Sequence, residues 1–382
     1  MSLDWITDDL ASIKAADQLR HLRTVAGPQG AVIRLNGREV VNFSSNDYLG
    51  LAADRRLIAA AALAAEKFGA GAGSSRLIAG NLSIFENLEA ALADHKGRPA
   101  ALLFNSGYAA NLGVIPALVG PDDAIFSDRL NHASIIDGCR LARARVSVFE
   151  HNDVEHLDRL LAADRSRRRL IVTESLFSMD GDLAPLPAIA AVARERGAML
   201  VIDDAHAGGL LGPHGEGGLA HFGLAPDTAD AVVGTLGKAY GSAGAFVAGP
   251  ESLRDLLINR ARSFIFTTGP APAAAGAALE ALRVAAEEPW RRERALVLAT
   301  RLRAGLAAIG LALTASAAAI VPVLLGSESA ALAASARLLE CGFFVQAIRP
   351  PTVPAGSSRL RVTVTAGHTE RQVDDLVAAL AG

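Results

Sequence analysis

The chain has 382 residues, 51% of them hydrophobic and 20% charged, with 37 basic against 40 acidic side chains and a net charge of −3. That length calls for two domains of about 100–200 residues each rather than one core. The balanced charge offers no basic face to a nucleic acid, no apolar run approaches the ~18 residues of a membrane span, and two cysteines, Cys139 and Cys341, are too few for a disulfide framework or a cysteine metal site.

The first ten residues carry Asp4, Asp8 and Asp9 where a secretory signal would put basic residues ahead of an apolar run, so a cytoplasmic protein is expected. A helix is expected next, followed by a hairpin turning at Asn36-Gly37 between the apolar runs Val32–Leu35 and Arg38–Val41. From about residue 50 to 270 helical stretches such as Arg55–Phe68 and Pro187–Arg196 alternate with short apolar runs: Ala100–Phe104, Ala124–Ser127, Leu170–Thr173, Met199–Ile202, Ala231–Gly234 and Ala245–Ala248. Continuous apolar runs separated by helices predict an α/β fold with a mostly parallel central sheet buried on both faces and flanked by helices. A helix-rich stretch from Ala273 to Ile309 then leads into a smaller C-terminal α+β portion. Its strands are expected at Ile320–Leu325, Phe343–Ala347 and Leu360–Val364, with helices from Ser329 and Glu370. The expected domains are an N-terminal arm and hairpin (1–48), a large domain (49–275) and a small C-terminal domain (276–382). The run Arg165–Arg169 reads as a solvated connection, and the Gly-rich 68–76 as a flexible loop near a site or a subunit boundary, since it matches neither a Walker loop nor a dinucleotide fingerprint.

The chemistry gathers where apolar runs end. In open α/β sheets ligands sit at the carboxyl ends of the strands. Met199–Ile202 ends in Asp203-Asp204-Ala205-His206, and Ala231–Gly234 ends in Thr235-Leu236-Gly237-Lys238. A lone lysine after a glycine is more often a solvated loop residue, and an acid at a strand end is often a helix cap. Together, an acid that can hold a pyridinium proton and a lysine whose amine can condense with an aldehyde are what pyridoxal phosphate (PLP) requires. Asp203 is assigned the ring nitrogen, with its neighbour Asp204 as the alternative, and His206 the phenol oxygen. Thr235 offers a hydroxyl to a phosphate. The run Leu102–Asn111 reads as strand, glycine turn and helix start, whose backbone N–H groups suit a phosphate. His132, after Ala124–Ser127, can stack on a flat ring, and Ser178, after Leu170–Thr173, can hydrogen-bond a cofactor. His151 and His156 are assigned no metal.

Four strings, Asn42–Leu51, Phe177–Asp182, Asp203–His206 and Thr235–Lys238, resemble the α-oxoamine synthases, a family of fold-type I PLP-dependent enzymes, and the resemblance runs almost end to end. It implies decarboxylative condensation of an amino acid with an acyl thioester. Lys238, His132 and Asp203 would be catalytic. Gly107, Tyr108, Ser178, His206 and Thr235 would bind the cofactor, as would Thr267 and Thr268, the last two reaching the phosphate of a neighbouring subunit in an obligate homodimer with shared sites. Arg20, Asn46, His132, Arg349 and Thr352 would contact substrates, Arg349 holding the amino-acid carboxylate. The string Ala347–Gly356 with Arg359-Leu360-Arg361 resembles the biotin-pathway branch, which implies L-alanine and a pimeloyl thioester, carried on CoA or on acyl carrier protein. Another branch such as a glycine C-acetyltransferase is the alternative, and a PLP aminotransferase a more distant one. Ala207-Gly208-Gly209 departs from the Gly-Thr-Gly more common in relatives.

Overall fold

In the computed structural model, which describes residues 3–381, the chain divides into two compact units. The larger spans Asp47–Ser178 and Leu183–Arg292; the other joins the N-terminal segment through Asn46, the short stretch Met179–Asp182, and Glu293 onward.

The larger unit is built on a seven-stranded sheet in the order Ala100–Phe104, Ala245–Gly249, Ala231–Thr235, Met199–Asp203, Arg169–Glu174, Ala124–Asp128, Arg145–Phe149. It is mostly parallel, as the alternating pattern predicts, with Ala245–Gly249 antiparallel to both of its neighbours. The reason is chain length: only residues 236–244 separate it from Ala231–Thr235, too few for the crossover that a parallel return needs. Arg145–Phe149 is a strand the apolar-run reading passes over. It lies at the sheet edge, with Val146 and Val148 exposed, so its sequence alternates with polar residues instead of running apolar.

Each face of this sheet carries its own core. Leu102, Phe104, Val172, Val201 and Val233 face the helices Gly107–Leu118 and Ala133–Ala142, packing with Val114, Ile115 and Ile135. Phe126, Ile171, Leu200 and Ile202 face the opposite way, against Leu157, Leu161 and Ile189 of the helices Val154–Ala163 and Leu186–Arg196. The period-2 alternation of strand side chains produces this division, and it decides which polar residues at the strand ends share a face.

The smaller unit contains the expected hairpin. Val32–Leu35 pairs with Arg38–Asn42. Asn36 and Gly37 take φ of 49° and 83°. A tight hairpin turn with both central residues at positive φ needs this Asn-Gly chemistry. Phe343–Phe344 adds in parallel to Arg38–Asn42. A second sheet orders Ile320–Gly326, Ser358–Thr363 and Gln346–Ile348. Its apolar side packs with Leu338 of helix Glu328–Glu340 and with Val373 and Leu376 of helix Glu370–Ala381.

Candidate active site

In the larger unit the carboxyl ends of adjacent strands bring Asp203, Glu174, His132 and Lys238 into one electrostatic neighbourhood. Asp203 closes its strand and is buried. One carboxylate oxygen, Oδ2, accepts the side-chain amide of Asn111 at 2.7 Å, and Oδ1 accepts the backbone N–H of Ala205 at 2.9 Å.

Asp204 turns to the other side of the strand, as alternation demands. Its carboxylate accepts Lys96 Nζ at 2.6 Å, the Ser175 hydroxyl at 2.6 Å and the Gly218 N–H at 2.9 Å. Both members of the Lys96–Asp204 pair are almost wholly buried, so this acid is committed to holding the fold.

Lys238 sits half-buried just past Ala231–Thr235, in a turn closed by Gly241 N–H to Lys238 C=O and Ser242 N–H to Leu236 C=O, both 2.9 Å. Gly241 has φ of 59°, and a Cβ there would lie 2.4 Å from the backbone nitrogen of Ala52, so the turn carrying Lys238 is pressed against the chain at Leu51–Ala52. Thr235 donates its hydroxyl to the Ala205 carbonyl at 3.2 Å, which ties the ends of the two strands together. A Cβ on Gly107 would meet Thr235 Cγ2 at 2.7 Å, so only glycine lets the helix Gly107–Leu118 start so close to the strand ends. The first-turn N–H groups of that helix, at Gly107 and Tyr108, have no partner within the helix by construction. Tyr108 donates its hydroxyl to Asp137.

His132 caps the helix Ala133–Ala142 with an exposed side chain. Its backbone N–H is held by Glu174 Oε1 at 2.7 Å, and its Nδ1 lies 2.8 Å from the Ser134 hydroxyl. Its pKa is lowered, first by partial withdrawal from water and further by Lys238, against the pull of Asp203. Ser178 is buried, and its backbone N–H bonds Glu174. His206 is buried, with Nδ1 2.6 Å from the Tyr48 hydroxyl. Thr267 and Thr268 lie beside Asn105, whose side chain donates to Thr267 Oγ1 at 3.1 Å and to the Thr268 carbonyl at 2.9 Å.

The sequence reading missed Glu174, Asn111, Ser134 and Tyr48. Glu174 is the clearest omission. It pairs in register with Asp203 on the neighbouring strand, and burial first, then the Asp203 charge, push its carboxyl well above the usual range. The available signal was an acid ending an apolar run, the same signal that identified Asp203.

The remaining predicted residues lie in the smaller unit. Arg20, Arg349 and Thr352 line one cavity of about 330 Å³, together with His21 and Gln346. Arg349 is buried. Its guanidinium donates to the carbonyls of Asp17 and Leu19, while its Nε has no partner. Burial, with the charge of Arg20, lowers its pKa. Arg20 reaches back to the Pro350 carbonyl at 3.0 Å, and the Thr352 N–H to the Arg349 carbonyl at 3.1 Å. Asn46 stands apart from this cavity lining and accepts Arg361 at 3.0 Å.

Residues 38–380 match the family model for aminotransferase class I and II. The 8-amino-7-oxononanoate synthase of Anaeromyxobacter sp. (strain Fw109-5) is 58% identical over 378 residues, covering 99% of this chain and 95% of that one. Its counterpart in Anaeromyxobacter dehalogenans (strain 2CP-1) is 54% identical over 380 residues, covering 100% and 95%. Among solved structures, serine palmitoyltransferase from S. paucimobilis, with PLP and myriocin bound, superposes with a TM-score of 0.93 at 32% identity, covering 100% of this chain and 98% of that one. The 8-amino-7-oxononanoate synthase of Francisella tularensis gives a TM-score of 0.78 at 28% identity, covering 90% and 97%. The chain therefore belongs to the aminotransferase class I and II family and, within it, to the 8-amino-7-oxononanoate synthases.

Proposed function

We propose that this protein uses PLP to join L-alanine to a pimeloyl thioester, releasing carbon dioxide and the thiol carrier and forming 8-amino-7-oxononanoate for biotin synthesis. The observation that carries the reading is the conjunction of Lys238 with a buried, doubly hydrogen-bonded Asp203 at adjacent strand ends. The donor set fits the cofactor. An anionic acceptor meets a ring nitrogen, a lysine amine meets an aldehyde, and Gly107 clears space at a helix start for a phosphate.

When bound, PLP supplies an aldehyde for the substrate amine and a ring that accepts the electron pair released at Cα. Asp203 holds the ring nitrogen's proton and so keeps the ring electron-poor. Lys238 would hold the aldehyde and, as a free amine, would be the base that takes the Cα proton and later returns one. His132 would cover the ring face, His206 and Ser178 would hold ring oxygens, and Gly107, Tyr108 and Thr235 would hold the phosphate. Arg349 grips the alanine carboxylate as a fork, which fixes the Cα–H direction for removal. Its buried, unpartnered Nε and the neighbouring Arg20 form a doubly cationic cavity suited to carboxylates. Asn46 and Thr352 complete the substrate contacts.

In this reading the working form is a cytoplasmic homodimer in which Thr267 and Thr268 complete the partner's phosphate site. Ile78 and Phe266 are 81% and 70% exposed. Apolar surface of this kind is what a subunit interface covers.

The test is product formation. Carbon dioxide and free thiol are expected only when L-alanine and a pimeloyl thioester are both present. Equal release from glycine with succinyl-CoA would overturn the substrate assignment in favour of another oxoamine synthase, and amino transfer without carbon dioxide would favour an aminotransferase.

A further inference from the structure

Between Asp203 and His132 runs a hydrogen-bonded chain that the reaction above does not use. Asn111 Nδ2 stands 2.7 Å from Asp203 Oδ2 and 2.9 Å from Ser134 Oγ. Ser134 Oγ stands 2.8 Å from His132 Nδ1, and the Ser134 backbone N–H donates to the same ring nitrogen at 3.2 Å. Asn111 and Ser134 are both 1% exposed, so water does not compete for these bonds.

The direction of each bond follows from donor and acceptor counts. The Asn111 amide must turn its nitrogen toward Asp203, because its oxygen there would face a carboxylate oxygen 2.7 Å away. Its two N–H groups then serve Asp203 and Ser134, one each. Ser134 Oγ accepts a hydrogen bond from Asn111, and where His132 Nδ1 already accepts the Ser134 backbone N–H, the hydroxyl turns its own hydrogen to that nitrogen. The Ser134 backbone N–H can only donate. His132 Nδ1 is thus faced by two donors and must present a lone pair, which leaves the single ring proton on Nε2.

We propose that Asn111 and Ser134 are positioning residues that lock His132 as the neutral Nε2–H tautomer, making its outer edge a fixed hydrogen-bond donor to a substrate oxygen rather than a base. The inference rests on the reading that His132 lies over the cofactor, while the tautomer itself is a property of the chain. An imidazolium would need an acceptor at Nδ1 and finds the Ser134 backbone N–H there, in keeping with the lowered pKa of this histidine, which partial withdrawal from water and Lys238 bring down against the pull of Asp203. Glu174 anchors the His132 backbone N–H at 2.7 Å, so the main chain that carries the ring is held as well. The same amide that orients the histidine also donates to Asp203, so one buried side chain supports both groups assigned to the ring.

The experiment is two-bond ¹H–¹⁵N correlation on histidine-labelled holoenzyme, with the His132 signals identified by their loss in His132→Asn. At neutral pH a pyridine-type Nδ1 and a pyrrole-type Nε2 are expected. Ser134→Ala removes the hydroxyl donor and keeps the backbone one. It should shift the tautomer ratio by about five- to tenfold, the equivalent of one hydrogen bond, and raise the imidazole titration midpoint by up to about one pH unit. Ser134→Thr, which retains a hydroxyl, should restore both. A pyrrole-type Nδ1 or an imidazolium in the unmodified protein, or a Ser134→Ala variant with unchanged tautomer and titration, would overturn the proposal. An intact tautomer in a protein that releases no carbon dioxide from L-alanine and pimeloyl thioester would support the lock and overturn the reaction.

Discussion

Asp203 and Asp204 are chemically identical neighbours, and their environments separate them. Asp203 faces the helix Gly107–Leu118 and receives Asn111, whereas Asp204 faces Lys96 and Ser175. The sequence made both acids candidates because an apolar run ended in them, and it could not fix the strand phase that sends one to each side. Asn111 and Ser134 were illegible for a related reason: their roles exist only once two helices and a strand end converge. Asp203→Asn keeps the shape and removes the carboxylate proposed to face the ring nitrogen. It is expected to lower kcat at least about a hundredfold, the scale of losing one preorganised electrostatic partner, with the protein still folded by circular dichroism. A kcat within about threefold of the parent, or about 0.6 kcal/mol, would remove Asp203 from that role.

At the scale of elements, the turn after Ala231–Thr235 does two things. It is too short for a crossover, which forces Ala245–Gly249 to return antiparallel, and it presents Lys238 beside the chain at Leu51–Ala52 through the close approach of Gly241. The strands here were legible because apolar runs bounded by glycine have few other readings, and Arg145–Phe149 was not, because this edge strand is largely exposed and mixes Arg145 and Ser147 with its apolar residues. The segment 207–218 is pinned by Gly209 at φ 80°, whose Cβ would lie 2.7 Å from Ala239 Cβ, and by the bond from the Gly217 N–H to the Leu211 carbonyl at 2.8 Å. Lys96 closes the same region on Asp204. Lys96→Met leaves a buried carboxylate uncompensated and should cost about 3–5 kcal/mol of stability in urea unfolding. A loss under about 1 kcal/mol, the value of a surface pair, would mean that the pair is not buried in solution.

For the whole molecule, each unit contains a histidine that the fold keeps neutral. His95, bonded to the Tyr240 hydroxyl at 2.8 Å, and His368, stacked on Phe43 with ring centroids 4.3 Å apart, both have pKa values lowered to about 4, chiefly by burial. The unfolded chain takes up these protons near pH 6.5, while the folded chain refuses them until about 4. Their contribution to stability is therefore complete above about pH 6.5 and falls away as the pH drops toward about 4, with a slope of up to about 1.4 kcal/mol per pH unit for each histidine, the equivalent of one proton taken up. Denaturant midpoints measured between about pH 4 and 8 should show this decline, and His368→Asn should flatten it. An acid slope unchanged in that variant would assign the protons elsewhere. No helix among the described residues is long and apolar enough to cross a membrane.

The proposed reaction has Lys238 carry the cofactor, and one measurement addresses that directly. Borohydride reduction of the PLP-loaded protein, followed by proteolysis and mass mapping, should put a single pyridoxyl mass on the peptide containing Thr235–Lys238, and Lys238→Ala should abolish it. A reduced tag on another lysine, or no tag on a protein that still turns over alanine, would contradict this assignment and the chemistry built on it.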